Sequence, residues 1–201
     1  MKRRSVDLVC ASLALVLASP VFLLCAFAVW LESGSPVFFA QPRLGLFGRP
    51  FRMLKFRSMY TKSPDLRNSD GSTYNGPNDP RVTRVGRWLR RSSLDELPQL
   101  INVLRGDMSI VGPRPDVLDA VDRYRSEDHQ RLSVKPGITG WAQIHGRNTL
   151  TWERRRDLDN EYVRKRTLRM DLQIVFHTVP IVLLGSGIYI EKPEKGRGDG
   201  V

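Results

Sequence analysis

Cysteine and histidine are both scarce in this chain, with two cysteines and three histidines among 201 residues. The two cysteines, Cys10 and Cys25, lie in one apolar stretch near the N-terminus, so the polar part of the chain has no thiol. A disulfide-stabilised secreted domain needs several paired cysteines, and a structural zinc site needs closely spaced Cys and His residues. The sequence therefore excludes both classes.

Acidic residues are also few relative to basic ones. Asp and Glu together number 21 against 32 Lys and Arg, which gives a formal net charge of +11. Such an excess favours anionic partners, which include phosphate-bearing ligands, nucleic acid and acidic lipid surfaces. The length suits one domain with an appended segment, and the chain has no internal repeat.

The longest stretch without a charge is the 24 residues from Leu8 to Leu31. A straight helix of this length would cross a bilayer core of roughly 30 Å. Ser19 and Pro20 interrupt it midway, and each half, about 18 Å long, is too short to span. Basic residues flank both ends, which favours both ends on the cytoplasmic side. A spanning helix, a re-entrant helix bent at Ser19-Pro20 and a cleaved signal peptide are the three alternatives.

The composition changes several times after the apolar stretch. Residues 36–59 mix apolar pairs with Gly, Pro and basic residues, which predicts short strands or turns. Residues 61–80 are rich in Ser, Asp, Asn, Gly and Pro and predict a long surface loop. Residues 172–184 are apolar around Pro180 but short for a span, so we expect a core or interfacial helix there. Residues 191–201 are predicted to be a disordered tail.

An arginine-rich segment follows the loop. Val82, Val85, Trp88 and Leu89 recur at helical spacing. The same segment holds five arginines and no acid: Arg81, Arg84, Arg87, Arg90 and Arg91. A helix with this pattern suits the headgroup zone of an anionic bilayer, and it equally suits a solvated basic face over a protein core.

Two adjacent acids, Asp95 and Glu96, precede Pro98. Proline is tolerated only in the first turn of a helix, so we expect a helix that begins near Asp95 and ends at Gly106. Asp95 then has two interpretations. It can cap the helix, with Glu96 favourably placed at the positive end of the dipole. It can also be an ionised nucleophile that forms an acyl phosphate.

Two later motifs are suited to phosphate. Arg114 lies between Pro113 and Pro115, which restrict the backbone and direct one guanidinium toward a ligand. Residues 134–148 form a glycine-rich loop that carries Trp141 and Arg147. This loop can bind a nucleotide or be purely structural. His145 and His177 have no partner in the sequence that indicates a general base.

Taken together, the order of these motifs resembles the bacterial sugar transferases, which are monotopic phosphoglycosyl transferases acting on polyprenyl phosphate. The chain is similar to the small catalytic-core form of that family. The segments that carry the resemblance are the apolar stretch broken at Ser19-Pro20, "FRMLKFRSM" (51–59), "DPRVTRVGRWLRRSSLDELPQLINVLRGDMSIVGPRP" (79–115), "VKPGITGWAQIHGRN" (134–148) and "RMDLQIV" (169–175).

The resemblance implies a reaction and a set of site residues. Asp95 is the expected nucleophile, which attacks a UDP-sugar, releases UMP and holds a sugar-phosphate adduct until polyprenyl phosphate takes it. Glu96 completes the catalytic pair, and Mg²⁺ is expected at Asp95 and Glu96. The residues expected to bind substrate are Lys55, Arg114, Arg147, Asp159 and Asp171.

The resemblance also implies an architecture. We expect a mixed, mainly α fold with a re-entrant membrane helix over residues 1–35, broken at Ser19 and Pro20. Residues 36–190 are expected to form a compact cytoplasmic α/β catalytic domain with interfacial amphipathic helices. The implied location is the cytoplasmic face of the bacterial inner membrane, with anionic phospholipid as a partner and no nucleic acid. The implied role is the first membrane step of a glycan assembly pathway, such as that of an exopolysaccharide or an O-antigen.

Three other hypotheses make different predictions. A membrane-tethered nucleic-acid-binding protein would account for the +11 charge and would not depend on Asp95. A direct transfer would use Asp95 as a base or metal ligand without an adduct. A non-catalytic anchor for a glycan assembly complex is disfavoured because Asp95, Glu96 and Arg114 are all present. The sugar, the pathway, the oligomeric state and the carboxylate that ligates the metal are left open by the sequence.

Overall fold

The computed structural model describes residues 2–66, 74, 76 and 78–184. The predicted loop 61–80 is therefore only partly covered. The predicted tail 191–201 and the last residues of the predicted domain 36–190 lie outside the described residues. Within them the fold is mainly helical with two small sheets, as the sequence predicts.

The apolar N-terminal stretch forms two helices, α1 (Lys2–Leu17) and α2 (Ser19–Ser33), that meet at a bend of 63°. Pro20 has no N–H to donate to the Val16 carbonyl, and the Ser19 hydroxyl donates to it instead at 2.8 Å. The predicted break at Ser19-Pro20 is confirmed. Among the described residues, no single helix is long and apolar enough to cross a bilayer, and only this bent pair, taken together, has the necessary length and composition.

A β-hairpin follows the helix pair. Strands β1 (Phe38–Leu44) and β2 (Pro50–Phe56) are antiparallel, with Phe38 opposite Phe56, and a 3-10 turn at Leu46–Gly48 joins them. The strands predicted between residues 36 and 59 are confirmed. Lys55 is the next-to-last residue of β2.

Two short helices with a 3-10 turn between them carry the acidic pair. These elements are α3 (Arg84–Arg91), the turn Leu94–Glu96 and α4 (Gln99–Arg105). The prediction of one helix beginning near Asp95 is wrong, because Pro98 is the N-cap residue of α4 and Leu97 N–H bonds back to Leu94 in 3-10 spacing. The predicted end is confirmed, since Gly106 takes the left-handed conformation with φ 94°.

The α3 helix is amphipathic, as its sequence predicts. Leu89 on the helix and Val82 just before it are buried, whereas Trp88 is 55% exposed. Gly86 lies where α3 crosses the backbone of Ser58, and a Cβ atom there would come within 2.1 Å of the Ser58 carbonyl oxygen. A glycine inside this helix therefore permits close packing on the chain that follows β2.

The glycine-rich loop packs backbone against backbone. Strands β3 (Ser109–Val111) and β4 (Gly137–Thr139) pair in parallel, and the short helix α5 (Trp141–Ile144) follows. A Cβ atom on Gly137 would come within 2.1 Å of the Gly112 nitrogen. The absence of a side chain on Gly137 thus allows the two strands to approach each other closely. This favours a structural role for the glycine.

Two long helices close the fold, α6 (Trp152–Lys165) and α7 (Leu168–Leu184). Irregular 3-10 segments at Leu118–Arg123 and Ser126–Ser133 precede them. Along α7, Ile174 is fully buried against Val111 and Tyr162, while Leu172 and Phe176 are at least 70% exposed. The helix predicted at residues 172–184 is present and begins four residues earlier.

Candidate active site

The predicted acidic pair lies at a large cleft of about 740 Å³. Residues from β1, β2, the following loop, the acidic turn and α6 line it. Positive charge predominates among the described residues of its wall, which include Lys55, Arg57, Arg90, Arg114, Arg147 and Arg155. A cleft of this charge suits a ligand with several phosphate oxygens.

The backbone changes direction at Ser93, two residues before the acidic pair. Ser93 has φ 57°, a left-handed conformation that non-glycine residues adopt at a cost of order 1–3 kcal/mol. This residue separates α3 from the turn that carries Asp95 and Glu96, and both carboxylates line the cleft. Strained backbone of this kind is characteristic of functional sites, because surrounding contacts must hold it in place.

Glu96 is held by two cations. Its Oε1 atom accepts hydrogen bonds from Lys55 Nζ at 2.7 Å and from Arg114 Nη2 at 2.6 Å, and Arg114 Nη1 lies 3.3 Å from Oε2. Burial alone would raise the pKa of Glu96, but Arg114 and Lys55 outweigh it and hold that pKa well below its usual range. Glu96 is therefore ionised at neutral pH and fixed in orientation.

Asp95 has different surroundings. Its Oδ2 atom lies 3.7 Å from Lys55 Nζ, and within the described part of the chain no backbone N–H donates to it. Burial raises the pKa of Asp95, while the Lys55 charge offsets part of this effect. The helix-cap interpretation is wrong, because Ser93 and Pro98 occupy the cap positions of the turn and of α4. The carboxylate of Asp95 faces the cleft instead.

Arg147 also reaches the acidic turn. Its Nη2 atom donates to Ser93 Oγ at 3.1 Å, and it lines the cleft together with Arg155. Arg155 comes from α6, and its Nη2 atom lies 3.4 Å from the Arg147 carbonyl oxygen. Four predicted site residues, namely Lys55, Asp95, Glu96 and Arg114, therefore lie together. Arg147 contacts the hydroxyl of Ser93, just before the turn that carries the acids.

The other two predicted substrate-binding residues lie away from the cleft wall. Asp159 is fully buried and accepts a hydrogen bond from Arg131 Nη2 at 2.7 Å. Asp171 accepts one from Tyr162 Oη at 2.7 Å and lies 3.1 Å from Arg3 Nη1. Neither lines the cleft among the described residues. The geometry gives both an internal ion-pairing role. Direct substrate contact by either residue stays a prediction.

Sequence reasoning missed two contributors to the site. Arg155 lines the cleft but lies in a run of three arginines, which offers no signal for the one that faces inward. Asn102 is fully buried on α4, and its side chain accepts from Leu54 N–H at 2.9 Å and donates to the Arg52 carbonyl at 2.8 Å. It ties α4 to the strand that carries Lys55, through partners about fifty residues away.

The two histidines singled out in the sequence lie outside the described cleft wall. The Nδ1 atom of His145 lies 2.8 Å from the Trp141 carbonyl oxygen, and that of His177 lies 2.8 Å from the Gln173 carbonyl oxygen. Each therefore contacts the backbone one helical turn earlier on its own segment. Neither contact provides a general base at the acidic pair.

The acidic pair is the part of the site that fits a divalent cation. No group of three or more His, Cys, Asp or Glu side chains suitable for a metal occurs in the described residues. Mg²⁺ commonly takes only one or two protein carboxylates and completes its shell with water and substrate phosphates. The adjacent carboxylates of Asp95 and Glu96 at a cleft suited to phosphate match that requirement.

Comparison with known proteins agrees with these features. The family described as bacterial sugar transferase matches residues 1–185. The chain is 46% identical over 186 residues to the sugar transferase EpsL of Bacillus subtilis (strain 168), which covers 92% of this chain and 89% of EpsL.

Two longer relatives are also similar. One is the UDP-glucose:undecaprenyl-phosphate glucose-1-phosphate transferase of Escherichia coli (strain K12), with 49% identity over 185 residues, which are 88% of this chain and 39% of that protein. The other is the undecaprenyl-phosphate galactose phosphotransferase of Salmonella typhimurium (strain LT2), with 40% identity over 198 residues, which are 93% of this chain and 41% of that protein. The chain therefore belongs to the bacterial sugar transferase family.

Proposed function

We propose that this chain transfers a sugar 1-phosphate from a UDP-sugar to polyprenyl phosphate, such as undecaprenyl phosphate, and releases UMP. The observation that carries the proposal is the Asp95 carboxylate, which faces a cationic cleft 3.7 Å from Lys55 without a backbone hydrogen bond among the described residues. The names of the E. coli and Salmonella relatives, which refer to glucose and galactose transfer, support this class of reaction.

The first half-reaction uses Asp95 as the nucleophile. A carboxylate oxygen of Asp95 forms a bond to the sugar-bearing phosphorus, and the bond from that phosphorus to the bridging oxygen breaks. The bridging oxygen leaves with the electron pair as part of UMP. Asp95 must be ionised for this attack, and Lys55 favours the ionised form against the effect of burial.

The second half-reaction restores the enzyme. A phosphate oxygen of the polyprenyl phosphate attacks the same phosphorus, and the bond to Asp95 breaks with its electron pair returning to the carboxylate. The product is polyprenyl diphosphate sugar. A covalent intermediate allows a soluble donor and a lipid acceptor to use one site in turn.

Fixed positive charge is what the cleft supplies to both steps. The substrates are multiply anionic, so a carboxylate can approach phosphorus only where cations offset the repulsion. Lys55 and Arg114 are positioned for this because Glu96 orients both of them. Mg²⁺ bound by Asp95 and Glu96 would add charge neutralisation of the donor diphosphate.

Membrane attachment through the bent helix pair belongs to the same proposal. Exposed leucines cover α1 and α2, and among them Leu17 is 80% exposed and Leu24 is 68% exposed. A re-entrant arrangement, in which the bend at Ser19-Pro20 lies within one leaflet, would bury these side chains in lipid. Both helix ends would then stay with the catalytic domain on the cytoplasmic face of the bacterial inner membrane. Anionic phospholipid would face the exposed arginines of α3.

The test compares wild type with Asp95→Asn in nanodiscs, with Mg²⁺ and a panel of UDP-sugars. We expect wild type to release one equivalent of UMP without acceptor, to gain a sugar-phosphate mass, and to turn over once polyprenyl phosphate is added. We expect Asp95→Asn to show none of these. Glu153→Gln is the matched control, because Glu153 is an exposed carboxylate on α6 outside the cleft wall, and it should behave like wild type.

Other outcomes assign different roles. Turnover without a burst or an adduct would make Asp95 a general base or a metal ligand in a direct transfer. Absence of UMP release with every donor would contradict the proposed reaction. Nucleic acid binding that is unchanged in Asp95→Asn would favour the alternative based on charge alone.

A further inference from the structure

Behind the cleft lies a buried polar cluster centred on Arg131, whose side chain is 2% exposed. Arg131 Nη2 donates to Asp159 Oδ2 at 2.7 Å and to the Arg114 carbonyl oxygen at 2.8 Å. Its Nη1 atom donates to Asp116 and to Tyr124 Oη. One guanidinium therefore joins the 3-10 segments, α6 and the Pro-Arg-Pro motif.

The bond to the Arg114 carbonyl is the contact that reaches the site. Pro113 and Pro115 cannot donate backbone hydrogen bonds and they limit the backbone angles around Arg114. The hydrogen bond from Arg131 holds the Arg114 backbone in place from the buried side of the segment. On the opposite side, the Arg114 guanidinium contacts Glu96 at 2.6 Å. The position of the Arg114 guanidinium therefore depends on the hydrogen bond made to its own carbonyl.

Arginine is the residue type suited to this cluster. A guanidinium has five N–H donors in a rigid planar fork, whereas a lysine ammonium is a single point with three donors. Arg131 uses both of its Nη atoms, each on two acceptors. A lysine at this position could keep the charge that Asp116 and Asp159 need, but it could not reach all four acceptors in the same geometry.

We propose that Arg131, held in place by Asp159, is a positioning residue for the phosphate-binding Arg114. The inference rests on the proposed function and extends it to residues that do not touch substrate. It assigns Asp159 a role in the reaction that acts through two arginines. Loss of either member of the pair lets Arg114 shift relative to Glu96 and the donor phosphates.

A double-mutant cycle tests this inference, with kcat and KM measured for UMP release. Displacement of a catalytic group by about 1 Å can reduce the rate on the order of 100-fold, so we expect Arg131→Lys to lower kcat/KM by roughly 10- to 100-fold. In an Arg114→Ala background we expect Arg131→Lys to lower kcat/KM by a further factor of less than about two. The guanidinium that Arg131 positions is already absent in that background. Fully additive losses would overturn the inference.

Arg156→Lys is the matched control. Arg156 is also a buried arginine, and it bonds to Asp128 and to the Arg123 carbonyl without contacting Arg114. If Arg156→Lys lowers kcat/KM through general destabilisation, that loss should be fully additive with the loss caused by Arg114→Ala. If Arg131→Lys does not fold, the isosteric Asp159→Asn enters the same cycle with the same two outcomes.

A binding measurement keeps this inference separate from the proposed function. The same variants are titrated with inorganic pyrophosphate by calorimetry, which requires no donor turnover. The positioning role is supported if Arg131→Lys weakens pyrophosphate binding in the wild-type background but has no effect in the Arg114→Ala background. This result would hold even if the protein used no UDP-sugar. Equal weakening in both backgrounds overturns it, whereas absence of UMP release by wild type bears only on the proposed reaction.

Discussion

Asp95 and Glu96 are adjacent in sequence, yet their surroundings shift their pKa values in opposite directions. Glu96 has two cations within 3 Å, which keep its pKa low. Burial raises the pKa of Asp95, and Lys55, whose Nζ atom lies 3.7 Å from Asp95 Oδ2, offsets part of this effect. Such a division is typical of paired carboxylates with different roles. Glu96 orients the cations, and Asp95 keeps a carboxylate that lines the cleft, as the proposed nucleophile requires.

At the scale of single residues, the pH dependence of stability provides a test. Burial raises the pKa of Asp159 to about 6, above the value of 3.8 for an unperturbed aspartate, while Arg131 and Arg155 oppose the shift and Asp116 adds to it. The folded state therefore binds this proton more tightly, so ionisation of Asp159 costs stability above pH 6 and that cost disappears as the pH falls toward 3.8.

We therefore expect wild type to lose stability relative to Asp159→Asn as the pH rises from 4 to 7. The difference between their free energies of unfolding should change by about 2 kcal/mol over this range, as measured by denaturant titration in detergent. Leu118→Ala, which replaces an exposed side chain that does not titrate, is the control and should keep a constant difference from wild type across this pH range. A difference that does not vary with pH would contradict the assignment of the raised pKa to Asp159.

At this scale the sequence indicates the groups near the acidic pair better than the buried ion pairs. Lys55 and Arg114, which the resemblance implies bind substrate phosphate, both contact Glu96. Asp159 and Asp171, which the resemblance also implies bind substrate, are each paired with an arginine. Their actual partners, Arg131 and Arg3, lie 28 and 168 positions away, and no local pattern reveals a buried ion pair with such a separation.

At the scale of elements, the bent helix pair contacts both ends of the segment that carries the acidic pair. The Glu32 carboxylate at the end of α2 accepts from the backbone N–H groups of Arg84 and Val85 at 2.8 and 2.9 Å, at the start of α3. Arg4 on α1 donates to the carbonyls of Val103 and Leu104 at the end of α4. These side chains satisfy terminal backbone groups that the helices themselves leave unpaired.

Removal of the Glu32 cap is therefore expected to weaken α3. We predict that Glu32→Ala lowers the free energy of unfolding by about 1 kcal/mol, in line with losses of helix N-caps, and that a thermal melt in detergent shows a lower Tm. Glu32→Gln keeps one acceptor oxygen and should lose less. Identical melts for Glu32→Ala and wild type would show that Thr83, whose Oγ1 accepts from Gly86 N–H at 2.9 Å, caps the helix by itself.

The elements differ in how far the sequence predicts them. The break between α1 and α2 is predictable because proline lacks the N–H that a continuous helix needs. The 3-10 turn at Leu94–Glu96 is not predictable, because Pro98 is equally compatible with the first turn of a helix that includes Asp95. The left-handed conformation of Ser93 separates α3 from the 3-10 turn, and a serine in the sequence does not predict that conformation.

At the scale of the whole molecule, apolar and basic surfaces occur together. Exposed apolar side chains are concentrated on α1, α2 and α7, and the formal net charge is +11. Electrostatic attraction to anionic lipid weakens with salt, whereas burial of apolar side chains in lipid does not. The two contributions can therefore be separated by experiment.

We predict that the protein stays bound to anionic vesicles when salt is raised from 50 to 500 mM. In a vesicle flotation assay, the double variant Leu17→Asp, Leu24→Asp should stay in the aqueous fraction. Each aspartate placed in lipid costs about 3 kcal/mol on insertion scales. Leu118→Asp, an exposed leucine of a 3-10 segment, is the control and should float with the vesicles. Release of wild type by salt alone would indicate purely electrostatic attachment.

The contacts of the first turns of α1 limit how the protein can be engineered into a water-soluble form. Asp7 accepts hydrogen bonds from the Ser109 hydroxyl and the Ile110 N–H at 2.9 Å, and Arg3 pairs with Asp171. Truncation before the β-hairpin would therefore remove contacts that hold β3 and α7, along with the proposed lipid anchor. Solubilisation is better attempted by polar replacements near the bend, with the first two turns of α1 retained.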